Sequence, residues 1–173
     1  MFIQGDVLAF ISLLIGTCLS AWSLTMAYGL LFPGKSEVAK MEVAARPWKC
    51  VGRGALLLFT VGLFSLILAT KVPNPLIKLF GWMLLLTILL LAALGMAGIA
   101  LIAGERLRKM APDMSHYAAF SRGAAFLIVG CIVPLVGWLA FGPILYLAAI
   151  GAGCKAAFTK VEEASPLPQI ETA

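Results

Sequence analysis

Charge is scarce in this chain. Of its 173 residues, 12% are Asp, Glu, Lys or Arg while 62% are hydrophobic, a balance outside the range of soluble globular proteins. Four stretches contain no Asp, Glu, Lys, Arg or His at all: Val7–Gly34, Gly54–Thr70, Leu79–Gly104 and Gly123–Cys154. A hydrocarbon core of about 30 Å needs about 20 helical residues to cross it. The first, third and fourth runs meet that length outright. The second does so if its helix starts near Pro47, with Arg53 and Lys71 snorkelling toward water. Alternation of apolar and polar residues, the mark of a membrane barrel, is missing. An all-α integral membrane protein is therefore expected, with four segments over about 7–32, 48–70, 75–104 and 123–157 as one domain.

Further absences narrow the chemistry. Ion-coupled transporters and proton relays keep ionisable groups at membrane depth, and the four runs hold none. There is one histidine, His116, so neither a zinc site nor a haem ligated within a span is expected. A juxtamembrane polar role explains it. Cys18, Cys50, Cys131 and Cys154 show no C-x-x-C pairing and argue against a metal centre or a disulfide framework. No Ser/His pair, Asp pair or phosphate-binding glycine loop appears. These gaps point away from an enzyme and away from a bound cofactor. The start, MFIQGD, has no Lys or Arg and no small-residue cleavage pattern follows, so a retained helix is expected rather than a signal peptide. The net charge of +5 reads as topology rather than as a nucleic-acid surface, because the basic residues flank membrane segments.

What the chain does have is a charge pattern. Lys35, Lys40, Arg46, Lys49 and Arg53 lie in one connection, and Arg106, Arg108, Lys109 and Arg122 in another. With four crossings, nine basic residues share one side and Lys71, Lys78, Lys155 and Lys160 take the other. The positive-inside rule then puts 35–53 and 105–122 in the cytoplasm and the N-terminus outside. The basic cluster Arg106, Arg108 and Lys109 also suits anionic lipid headgroups.

The last run is interrupted in GCIVPLVGWLAFGP. Pro134 removes a backbone donor and disfavours helix at Val133, Gly137 adds freedom, and Pro143 suits a first helical turn. A break at Pro134–Trp138 is expected, in one broken, tilted fourth span, with a re-entrant hairpin as the alternative. The hairpin shifts the basic balance to eleven against two. Asn74-Pro75 reads as an N-cap followed by proline at the first helical position, and Trp48, Trp82 and Tyr117, with Trp22 or Tyr28 as further candidates, as interface anchors. The tail 161–173, polar and interrupted by proline, is expected to be disordered.

Small residues recur at helical spacing. Ser12, Gly16, Ser20, Ser23 and Ala27 form one face of the first segment; Ala93, Ala97, Ala100 and Gly104 one of the third; Ala148, Ala152 and Ala156, beside Ala149, Gly153 and Ala157, one of the last. In lipid, helices associate through close backbone approach and dispersion, so such faces mark contacts within the protein or with partners.

From Gly98 to Ala157 the pattern resembles membrane segments that accompany bacterial polymer-forming, bactofilin-like domains. The matching elements are Gly104 with Arg106, Gly123, the Val133-Pro134-Leu135-Val136-Gly137-Trp138 break, and Gly151-Ala152-Gly153. The soluble repeat domain of that family is missing, so no polymer-forming activity carries over. The resemblance implies an anchoring module of a bacterial inner membrane. Two functions follow as expectations: a non-catalytic scaffold or accessory subunit that packs against other membrane subunits or copies of itself, and, as the alternative, a small facilitator for a neutral solute lined by the broken segment.

Overall fold

The protein is all-α among its described residues, in a computed structural model that describes residues 2–132 and 137–159. Pro134, the Trp138 ring and the tail 161–173 lie outside the described residues, as do the side chains of residues 2–6. The elements are α1 (Phe2–Leu31), α2 (Pro33–Ala45), α3 (Pro47–Leu57), a π turn (Leu58–Gly62), α4 (Leu63–Lys71), α5 (Pro75–Met110), α6 (His116–Ile132), a second π turn (Gly137–Phe141) and α7 (Gly142–Phe158). Among the described residues, four helical stretches are long and apolar enough to cross a membrane: Val7–Leu31, Pro47–Lys71, Pro75–Met110 and Leu139–Phe158.

Local chemistry sets the boundaries. Pro33, Pro47 and Pro75 each open a helix, where the missing N–H costs nothing and the fixed φ is already helical. Asn74 is extended, and its side chain accepts from Leu76 N–H at 3.0 Å, the expected cap. Ala111 precedes Pro112 and leaves the helical region at φ −136°, which ends α5. Ser115 caps α6 by accepting from Ala118 N–H at 3.2 Å. Two boundaries differ from the sequence reading. The basic connection 35–53 is not a loop: it is α2 followed by the first turns of α3, and α6 starts at His116, about two turns before the apolar run.

The long helix α5 is the centre. It packs against α1, α2, α4, α6 and α7, and its inward positions are almost all small: Ala92, Ala93, Gly95, Ala97, Gly98, Ala100 and Gly104 are buried. A Cβ on Gly95 would run into the Ala149 carbonyl, one on Gly153 into the Leu91 carbonyl, and one on Gly54 into the Leu147 carbonyl. The α5–α7 and α3–α7 crossings are therefore backbone-to-backbone contacts. Larger side chains fill the spaces beside them: Met26, Phe120 and Leu127 around Ala97 and Ala100, and Ile88 with Ile150. The buried hydroxyls Ser36, Ser65 and Thr25 bond to carbonyls one turn back, and no buried side-chain polar atom among the described residues lacks a partner.

At the break the chain folds back. A Cβ on Gly137 would sit 2.6 Å from the Gly130 carbonyl oxygen, and one on Gly130 would sit 3.1 Å from the Phe141 ring. A continuous helix would carry residues 130 and 141 about 16 Å apart along its axis. The outer ends of the two arms both reach the end of the bundle that carries α2. His116 at the start of α6 lies 3.3 Å from Arg108, and Lys155 near the end of α7 is paired with Glu42 of α2. The hairpin is thus the arrangement adopted. Lys155, counted opposite the basic connections in a four-crossing chain, joins them.

Candidate functional site

The small-residue faces divide into two kinds. Ala93, Ala97, Ala100 and Gly104 are buried between α5 and its neighbours, and Ala148, Ala149, Ala152, Gly153 and Ala156 are buried on α7. Ser12, Gly16, Ser20 and Ser23 are exposed, and Ala27 is half-buried. Nothing lies within 4 Å of a Cβ placed on Gly16. Helix α1 meets the bundle through its other side, where Thr25 and Met26 are buried and the Trp22 indole N–H donates to the Ser121 carbonyl at 3.2 Å. Its small face therefore looks away from the protein, with an open hollow between Leu19, Ser20, Ser23 and Leu24.

The charged side chains gather at the α2 end in two groups. Lys40 bridges Glu37 at 2.8 Å and Glu105, linking α2 to α5. Burial alone would lower the Lys40 ammonium; hydrogen bonds to Glu105 and Glu37 outweigh it and raise its pKa. Glu42, mostly covered, receives Lys155 at 2.6 Å and Arg53 at 3.4 Å. The Lys155 ammonium holds the Glu42 carboxyl below its ordinary range against an opposing effect of burial, with Arg53 adding to the shift. The Lys35 ammonium donates to the Ala157 carbonyl at 3.3 Å, a partner for an orphan group at the end of α7. Together these contacts fasten α2 across α3, α5 and α7.

Of the headgroup candidates, Arg106, Arg108 and Lys109 are all exposed on the last turn and a half of α5. Arg108 points its guanidinium at His116 Nδ1, while Arg106 and Lys109 have no ion-pair partner among the described residues. Of the break residues, Gly137 is buried at the fold-back and Pro143 stands in the first turn of α7. Trp48, Trp82 and Tyr117 are exposed, whereas Trp22 and Tyr28 are half-buried. Among the described residues no three His, Cys, Asp or Glu side chains gather to hold a metal ion, and the four thiols are free.

Sequence reasoning missed the Glu42 and Lys40 groups. Glu42 and Lys155 are 113 residues apart, and no spacing rule links them. It also missed Gly54, Gly95 and Gly151 as contact points. The cue was present in glycines set in apolar helices, but it named no partner.

Cavities follow the same division. A groove of about 380 Å³ between α3 and α7 is lined by Trp48, Val51, Phe141 and Ile144 and is apolar throughout. A cleft of about 360 Å³ at the α2 end, between the end of α1 and the start of α6, combines Leu30, Leu101 and Phe120 with Glu37, His116 and Tyr117. No family model, curated protein or solved structure matches the chain.

Proposed function

We propose that this protein is a non-catalytic membrane scaffold or accessory subunit, docking onto another membrane helix, or onto a second copy of itself, through the outward face of α1. One observation carries the reading. Gly54 on α3, Gly81, Gly95 and Gly104 on α5, Gly123 on α6 and Gly151 and Gly153 on α7 meet the backbone of a neighbouring helix, whereas Gly16, with Ser12, Ser20 and Ser23 beside it, faces open space, as does the isolated Gly52. A face that admits close backbone approach and offers three hydroxyls suits a helix more than lipid tails. The absence of catalytic constellations in the sequence supports the non-catalytic part. The basic connections, joined by Lys155, support an orientation with the α2 end in the cytoplasm and the start of α1 outside. The resemblance of 98–157 to bacterial anchoring segments supports an inner-membrane location.

The test is affinity isolation in mild detergent with native mass determination, on the unchanged protein and on Gly16→Ile. A stoichiometric partner, or a dimer, that is lost in Gly16→Ile while helix content is kept supports the proposal. A monomer that recovers no partner and moves a neutral solute across liposomes overturns it in favour of the facilitator.

A further inference from the structure

The cleft at the α2 end is lined by Glu37 on one side and His116 on the other, and the small-residue face of α1 plays no part in it. One wall carries Glu37, whose carboxylate meets Lys40 at 2.8 Å. Lys40 also serves Glu105, so the three groups together keep one negative charge. The other wall carries His116 with Arg108 behind it at 3.3 Å. Two helices also begin at this cleft, α2 at Pro33 and α6 at His116, and their N-terminal ends favour an anionic group. Below the polar rim the floor is apolar, made by Leu101 and the buried Phe120 ring. The exposed Leu30 and Tyr117 stand at the rim.

We propose that this cleft binds a zwitterionic phospholipid carrying a primary amine, with the phosphate toward His116 and Arg108 and the ammonium toward Glu37. The charges select among lipids. An anionic headgroup without an amine gains from His116 and the Arg108 guanidinium behind it but is repelled by Glu37. A quaternary amine has no N–H to give to a carboxylate and is held by several aromatic faces; Tyr117 is the one exposed ring here. A primary ammonium donates directly to Glu37, and its phosphate accepts from the opposite wall. The inference is independent of whether α1 docks a partner.

The purified full-length protein is equilibrated in detergent with equimolar phosphatidylethanolamine, phosphatidylcholine and phosphatidylglycerol of matched chains, and retained adducts are read by native mass spectrometry. Phosphatidylethanolamine adducts are expected to dominate. Glu37→Gln is expected to cut their excess over phosphatidylcholine by about fivefold, the upper end for one exposed ion pair. Leu30→Trp, at an exposed position on the rim, is expected to reduce the adduct with helix content unchanged. Equal retention of the three lipids, preference for phosphatidylglycerol, or a preference that survives both substitutions overturns the proposal.

Discussion

Gly95→Ala tests the packing logic most directly. Gly95 faces α7 so closely that an added Cβ meets the Ala149 carbonyl oxygen, with the carbonyl carbon at 2.6 Å and Cα at 2.7 Å. The obstacle is backbone, so no side chain can turn aside and the two helices must separate. Overpacking a well-filled site costs about 1–3 kcal/mol, and a rigid obstacle places this case near the upper value. Alanine returns about 1 kcal/mol through its better helix propensity, leaving a net loss of about 2 kcal/mol. Gly52→Ala is the control, because Gly52 is exposed and has nothing within 4 Å of a Cβ; it keeps the propensity gain without the clash. Unfolding in mixed micelles, followed by circular dichroism, should place the two variants on opposite sides of the unchanged protein. If Gly95→Ala is as stable as Gly52→Ala, the α5–α7 crossing is not the close contact described.

Other expectations follow from the same contacts. Glu42 has a folded pKa below the ordinary glutamate value of about 4.3; its contribution is complete above that value and is lost as pH falls through the lower folded one. Glu42→Gln should therefore lower thermal stability at pH 7 by about 1–2 kcal/mol, discounted for partial exposure, and flatten the acid limb of the stability profile. Asn74→Ala removes the cap of α5 and should cost about 1 kcal/mol in the same unfolding assay. Single cysteines at Met41 and Thr159, in a background with the four native cysteines replaced, should label from one side of the membrane and Val72→Cys from the other. Labelling of Thr159→Cys together with Val72→Cys would refute the hairpin.

Much of this protein is legible in its sequence because lipid is an exacting solvent. A run without charges must be helical to satisfy its own backbone, so Val7–Gly34 and Leu79–Gly104 leave little choice. Asn74-Pro75 fixes a helix start by local chemistry alone, and Pro134 with Gly137 marks where the last run is expected to be interrupted. Periodicity also marked the small faces of α1, α5 and α7 as contact surfaces. Tertiary structure decided which of those faces are used inside the protein: Ala97 and Gly153 are buried, while Gly16 is left open. It decided too that the break is the apex of a hairpin, since a proline interrupts a helix without setting the direction of the chain beyond it. The joining of Glu42 to Lys155 and Arg53 could not be read from spacing, because such pairs form only after helices far apart in sequence have packed. Sequence set the solvent, the helices and their punctuation; packing, where one backbone can approach another, set their arrangement.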